Sequence, residues 1–161
     1  MSARRGWWAW VLGAAMLAAM IAALLVALNR LDEAPLPDHE AAMQPTPALV
    51  AQGEYLARAG NCMSCHTQQG GPAFAGGRAI DTPFGAVYAS NLTPDDATGL
   101  GQWTAAQFWR AMHNGRARDG RLLYPAFPYP SYTKITRADS DAIYAFLRSL
   151  PPVRQQNRLH A

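Results

Sequence analysis

The amino-acid sequence predicts an all-α protein, with one membrane-spanning helix followed by a small helical domain. Three observations predict this class. A run of 22 residues without a charged side chain, residues 7–28, lies near the N-terminus. Three capped stretches with helical spacing of apolar residues follow, over 47–59, 105–114 and 137–149. A short pattern built on the two cysteines of the chain lies between the first two stretches, and long glycine-rich loops separate the elements.

The apolar run Trp7–Leu28 is long enough to cross a bilayer. At about 1.5 Å per residue a helix of this length reaches roughly 33 Å, against a hydrocarbon core of about 30 Å. Three tryptophans cluster at its start, as interfacial aromatic side chains do, and Arg4 and Arg5 precede it. Because basic residues stay on the cytoplasmic side, we expect one pass through a bacterial inner membrane, with the chain after Asn29 in the periplasm.

A cleaved signal peptide is the alternative interpretation of the N-terminus. Signal peptides have apolar cores of about 7–15 residues and a small-x-small cleavage site. The run here is longer, and the sequence Val-Ala-Leu-Asn-Arg over 26–30 is a poor cleavage site. The pattern therefore favours a retained anchor, and either interpretation exports the rest of the chain.

The charge of the chain does not indicate a nucleic-acid-binding protein. The formal net charge is +3, from 14 Lys and Arg against 11 Asp and Glu. Three of the arginines, Arg4, Arg5 and Arg30, flank the apolar run, which leaves the remainder neutral. The positive charge belongs to the membrane segment, so we expect no nucleic-acid partner.

Capping residues define the exported part of the chain. Thr46 caps a helix that begins at Pro47 and ends before Gly60. Gly53 lies inside this helix, where it costs stability unless another helix crosses closely. The chain thus divides into a cytoplasmic head and anchor over 1–30, a proline-containing linker over 31–46, a domain over 47–153 and a C-terminal tail over 154–161.

The other two helices carry similar signals. Thr104 and Gln107 form a capping box for a helix over 105–114, and Gly115 closes it. Thr136 opens a last helix over 137–149, stopped by the two prolines at 151–152. We expect this last helix to cross the first one near Gly53.

The pattern Cys62-Met63-Ser64-Cys65-His66 is typical of c-type haem attachment. Two thiols three residues apart lie on one face of a helical turn, so both reach vinyl groups on one side of a porphyrin. His66 follows directly and offers an imidazole to the iron. We therefore expect one covalent haem c, bound through Cys62 and Cys65, with His66 as the metal ligand.

Three other uses of these residues are less compatible with the sequence. A structural zinc site needs four ligands, and no second ligand pair is present in the sequence. A thioredoxin-like redox pair needs a βαβ context, which the flanking residues do not indicate. A structural disulfide between Cys62 and Cys65 would leave His66 without a role.

The order of helix, attachment motif, loops, middle helix, distal loop and last helix resembles the class I cytochrome c fold, whose long loops wrap the haem. Several loop strings further resemble the cytochrome c subunits of membrane-bound alcohol, gluconate, fructose and aldehyde dehydrogenases, over about residues 47–153. These strings are Gly76-Gly77-Arg78, Asp81-Thr82-Pro83-Phe84-Gly85, Ser90-Asn91-Leu92-Thr93-Pro94-Asp95, Thr98-Gly99-Leu100-Gly101-Gln102-Trp103-Thr104 and Asp119-Gly120-Arg121-Leu122-Leu123-Tyr124-Pro125-Ala126.

This resemblance implies an electron-transfer subunit rather than a stand-alone catalyst. It implies a membrane-anchored, mono-haem cytochrome that passes single electrons between a periplasmic dehydrogenase and the respiratory chain, through a quinone or a terminal oxidase. Two alternatives stay open. One is a five-coordinate haem sensor or gas-binding module. The other is a fixed cytochrome subunit of a larger complex with a dehydrogenase or an oxidase, in which this chain is the first of several haem domains.

The sequence departs from the family at the distal iron ligand. The resemblance implies a methionine at the position of Phe127, and phenylalanine cannot ligate iron. After His66 the remaining candidates are Met112, His113 and His160. Met112 is either the ligand or an apolar packing residue. His113 is either a ligand or a polar helix-end residue, and His160 is expected to be mobile near the end of the chain.

Further side chains are candidates for the haem surroundings. Four arginines could pair with haem propionates or remain solvated surface charges. Four aromatic residues are expected to line the haem pocket. The arginines are Arg78, Arg116, Arg118 and Arg121, and the aromatic residues are Tyr88, Trp103, Trp109 and Tyr124.

Overall fold

The computed structural model of the protein describes residues 3–28, 36–37, 43–124 and 126–160, apart from the side chains of residues 3–6 and 129. The chain divides into two units, residues 1–35 and 36–161, each described by itself. Most of the predicted linker, residues 31–46, lies outside the described residues, as do the side chains of Arg4 and Arg5.

The described residues of the N-terminal unit form one helix, α1, over Ala3–Leu28. Its side chains from Trp7 to Leu28 are all exposed. The stretch is long and apolar enough to cross a membrane, a test that retained anchors and signal sequences both pass. The predicted helix is therefore confirmed.

Helices α2 (Pro47–Ala59) and α6 (Arg137–Ser149) cross at the predicted glycine. The Thr46 hydroxyl accepts a hydrogen bond from the Leu49 amide at 3.2 Å, which caps the start of α2. A Cβ atom added to Gly53 would lie 1.9 Å from the carbonyl oxygen of Ala142 in α6. Gly53 is present because only a hydrogen atom fits between the two backbones.

Helix α4 (Ala105–Asn114) has both predicted ends. The Thr104 hydroxyl accepts from the Gln107 amide at 3.2 Å, and the Gln107 side chain accepts from the Thr104 amide at 3.1 Å. Gly115 follows with φ 61°, the left-handed conformation that ends a helix. The core lies between α4, α6 and α2, with Phe108, Met112, Ile143, Tyr144, Phe146, Leu147 and Ala57 among its buried residues.

A β-hairpin in the loop between α2 and α4 was not predicted. Strand β1 (Ala79–Thr82) pairs antiparallel with β2 (Gly85–Tyr88), with Ala79 opposite Tyr88. Strands of four residues are too short for an alternating pattern of apolar residues to show in the sequence. The two remaining helices are short: α3 (Cys62–His66) and α5 (Tyr129–Tyr132). The all-α class thus describes the helices and omits this hairpin.

The C-terminal tail packs against the loops, and His160 near its end takes part in these contacts. The ring Nδ1 of His160 accepts from the Tyr88 amide at 3.2 Å, and its ring meets Tyr124 edge-on. The Arg158 guanidinium lies 4.2 Å above the Tyr88 ring. Since the tail and the loops it contacts are far apart in sequence, local composition gave no signal of these contacts.

We predict that Gly53→Ala destabilises the domain. The added methyl group cannot avoid the Ala142 carbonyl without moving α6, and overpacking of this kind costs about 1–3 kcal/mol. Urea unfolding of the full chain in detergent measures the loss. Ala51→Ser on the exposed face of the same helix is the control, with a change within about 0.5 kcal/mol. Equal midpoints for the two variants would contradict the close crossing.

Candidate functional site

Helix α3 starts in a tight turn directly after α2. Asn61 precedes it in the left-handed conformation, with φ 56°, which asparagine tolerates better than most residues. The Ser64 hydroxyl donates to the Asn61 carbonyl at 2.9 Å and closes this turn. The turn fixes the five-residue helix against the end of α2, so that the position of the motif depends on the packed helices.

The two thiols of α3 are free and lie on one helical face. Cys62 is half-buried and packs against the core cluster, whereas Cys65 is exposed. Burial raises the pKa of the Cys62 thiol, with a smaller opposing effect from a backbone hydrogen bond.

His66 is held by its ring and by its backbone. Its Nδ1 lies 2.7 Å from the carbonyl oxygen of Ser90, and its own carbonyl accepts from the Gly76 amide at 2.8 Å. Since a carbonyl only accepts, Nδ1 carries the proton and Nε2 keeps a free lone pair. Burial lowers the pKa of His66, against the opposing effect of the Ser90 hydrogen bond, and favours the neutral, metal-binding imidazole.

These residues fit a covalently held haem. The short helix presents two free thiols and one imidazole whose second nitrogen is already hydrogen-bonded, the arrangement found for metal-binding histidines. Over the described residues, no group of three or more His, Cys, Asp or Glu side chains is arranged to hold a metal ion directly. The zinc alternative therefore gains no support.

The loop that carries Phe127 is tied to the turn before α3. The Phe127 ring stacks on Tyr132 in α5, with ring centres 5.4 Å apart and planes 15° apart. The Tyr132 hydroxyl donates to the Gly60 carbonyl at 2.7 Å. Through this pair, a phenylalanine is fixed close to the haem-attachment motif. Sequence analysis missed Tyr132, because an isolated tyrosine after a proline-rich loop carries no signal of its partner.

Both remaining ligand candidates on α4 are packed against protein. Met112 is only 7% exposed and belongs to the core cluster with Phe108 and Ile143. The His113 ring stacks on Trp109, with centroids 3.4 Å apart. Burial lowers the pKa of His113. These surroundings support apolar packing for Met112 and a role at the helix end for His113.

Three of the four arginines predicted as propionate partners contact other groups. Arg116 donates to the Gly120 carbonyl at 3.1 Å, Arg118 donates to the Gln102 side chain at 3.0 Å, and Arg121 pairs with Asp119 at 3.2 Å. Arg78 lines an open cleft beside α3 together with Arg158.

The four aromatic residues expected around the haem do not share one environment. Tyr88 lies under Arg158, Trp109 packs on His113, and Tyr124 meets His160. Trp103 packs against the core, where its carbonyl accepts from the hydroxyl of Tyr144. The expectation that these four residues line one haem pocket stays a prediction.

Known proteins share this domain. The family model for cytochrome c matches residues 50–151. A subunit of the nicotinate dehydrogenase of Pseudomonas putida is 55% identical over 109 residues, 68% of this chain and 9% of that protein. The gluconate 2-dehydrogenase cytochrome c subunit of Pantoea cypripedii is 45% identical over 136 residues, 84% of this chain and 30% of that protein.

Another relative is the cytochrome c subunit of the quinone-dependent alcohol dehydrogenase of Gluconacetobacter polyoxogenes, 45% identical over 69% of this chain and 24% of that protein. The chain spans less than a third of the length of each of these three relatives. The family match nevertheless covers the attachment motif and nearly all of the three long helices of the domain. The chain therefore belongs to the cytochrome c family, whose domain holds a covalently bound haem c.

Proposed function

We propose that this protein is a membrane-anchored cytochrome c that passes single electrons between a periplasmic dehydrogenase and the respiratory chain. The observation that carries the proposal is the geometry of α3, in which two free thiols and an imidazole that is hydrogen-bonded at Nδ1 share one short helix. The relatives named as cytochrome c subunits of gluconate and alcohol dehydrogenases support the dehydrogenase as the partner.

Each residue of the motif has a separate task. Cys62 and Cys65 would form the two thioether bonds, and Nε2 of His66 would ligate the iron. The haem, when bound, supplies a one-electron couple. The protein holds His66 at Nδ1 and at its carbonyl oxygen, so that the ligand does not reorient when the charge changes.

The membrane anchor and the periplasmic location are part of the same proposal. Helix α1 is apolar over Trp7–Leu28, and the two arginines before it favour a cytoplasmic N-terminus. An anchored cytochrome stays near the bilayer, where a quinone or a terminal oxidase accepts electrons.

A fixed place in a larger oxidoreductase is the second candidate. Its basis is that the relatives are longer than the matched stretch, which is 9% of the nicotinate dehydrogenase subunit and 30% of the gluconate dehydrogenase subunit. A diheme cytochrome c-type protein of Cereibacter sphaeroides is also similar, at 35% identity. Purification in mild detergent with retained dehydrogenase subunits would support this form.

We predict that Cys62→Ala/Cys65→Ala removes covalent haem. Without the thiols no thioether can form, so haem staining after denaturing electrophoresis should be lost. Met63→Ala changes an exposed residue between the cysteines and is the matched control, with haem retained. Equal staining of the double variant and this control would contradict the assignment of the thiols.

We predict that one dehydrogenase substrate reduces the haem in membranes of the source bacterium. Nicotinate, gluconate and ethanol are added separately, and haem absorbance and oxygen uptake are recorded. Replacing the chain by its Cys62→Ala/Cys65→Ala variant should abolish oxygen uptake with the active substrate. Unchanged uptake with every substrate, in membranes whose wild-type chain carries haem, would contradict the electron-transfer role.

We predict that Met112 supplies no ligand to the iron. The oxidised wild-type protein should lack the charge-transfer band of a methionine–iron bond, and Met112→Leu should leave the visible spectrum unchanged. A volume-conserving change of this kind costs less than about 1.5 kcal/mol. A methionine band that is present in the wild type and absent from Met112→Leu would overturn this interpretation.

A further inference from the structure

One peptide group in the loop after β2 is hydrogen-bonded at both ends. Its carbonyl oxygen, from Ser90, lies 2.7 Å from His66 Nδ1. Its N–H, from Asn91, donates to the side-chain oxygen of Asn157 at 2.9 Å. The carbonyl and the N–H belong to the same planar, resonance-stabilised unit. Asn157, in the tail, is therefore connected to the ring of His66 through a single peptide group.

The orientation of the Asn157 side chain is fixed by a second hydrogen bond. Its Nδ2 donates to the Thr98 carbonyl at 2.8 Å. Since a carbonyl cannot donate, the amide nitrogen of Asn157 faces Thr98 and the amide oxygen faces the Asn91 N–H. The two hydrogen bonds require the same orientation of the side-chain amide, so Oδ1 of Asn157 is the acceptor for the Asn91 N–H.

The loop that contains this peptide is itself immobilised. The Asn91 side chain is 2% exposed. Its Nδ2 donates to the Thr98 hydroxyl at 2.9 Å and to the Val153 carbonyl at 2.7 Å, and its Oδ1 accepts from the Thr93 amide at 2.9 Å. A buried side chain with all of these bonds satisfied holds the Ser90–Asn91 peptide in one position.

The tail is attached on both sides of Asn157. Before it, the Val153 amide donates to the Thr93 hydroxyl at 3.1 Å, and the Gln155 side chain donates to the Gly76 carbonyl at 3.3 Å. After it, His160 accepts from the Tyr88 amide. The contact between Asn157 and Asn91 thus belongs to a tail that is docked along its length.

We propose that Asn157 is a positioning residue that lowers the reduction potential of the haem by strengthening the His66 hydrogen bond. Consecutive hydrogen bonds polarise one another, so an acceptor at the Asn91 N–H makes the Ser90 carbonyl a better acceptor for His66. A stronger bond at Nδ1 raises the basicity of the ligating nitrogen, which stabilises the oxidised iron. This inference rests on the proposed function, because it requires His66 as the iron ligand.

The test is a spectroelectrochemical titration of the full chain with its haem, in detergent. Asn157→Ala removes the acceptor, so its midpoint potential should rise above the wild-type value. Gln156→Ala, at the exposed neighbouring position, is the matched control and should not shift it. A purely structural role for Asn157 would change stability without this directed shift.

A second pair of variants reverses the direction. Asn157→Asp keeps an oxygen at the Asn91 N–H and gives it charge, while it loses the hydrogen bond from Nδ2 to the Thr98 carbonyl. Because the acceptor at the Asn91 N–H is the stronger one, the potential should fall below the wild-type value. Because any added carboxylate lowers the potential through space, the control is Gln156→Glu, and the fall should be larger for Asn157→Asp. If the Asn157→Ala protein does not fold, the comparison of Asn157→Asp with Gln156→Glu still tests whether Asn157 affects the potential.

The outcomes separate the two proposals. Absence of covalent haem from the wild-type chain overturns the proposed function together with this inference. Full haem content with an Asn157→Ala potential equal to that of Gln156→Ala overturns the inference alone. An equal fall in Asn157→Asp and Gln156→Glu likewise overturns it, since charge would then account for the whole effect.

Discussion

The hydrogen bond between His66 Nδ1 and the Ser90 carbonyl is the contact on which the site depends. A helix of five residues such as α3 is too short to be stable alone, because helix nucleation costs more than a few hydrogen bonds return. The bond selects the tautomer of His66, sets the direction of its ring and leaves Nε2 for the metal. It also joins the attachment motif to a loop that is 24 residues away in sequence.

The rest of the domain makes that contact rigid. The crossing of α2 and α6 at Gly53 places the end of α2, and with it the turn that starts α3. The buried Asn91 side chain and the docked tail hold the opposite partner, the Ser90 peptide. Electron transfer benefits from a ligand set that moves little on oxidation, and a ligand fixed from two sides meets that requirement.

The candidate residues for the distal side of the haem are held by packing. Phe127 and Tyr132 form a stacked pair that is bonded to Gly60, and both side chains on α4 that were candidate ligands are packed against protein. Aromatic packing therefore occupies the position at which the family resemblance implied a methionine ligand.

Local chemistry in the sequence determined the three long helices and the attachment motif, since Thr46, the capping box at Thr104 and Gln107, and the spacing of Cys62, Cys65 and His66 act over a few residues. The close crossing of α2 and α6 was also predictable. Glycine inside a helix costs stability, so Gly53 indicated a place where another backbone comes close. Only the tertiary structure decided the partner of His66, the β-hairpin and the docked tail. The reason is physical: nearly every residue has both a carbonyl and an amide N–H, so side-chain identity does not mark which backbone groups will meet across the fold.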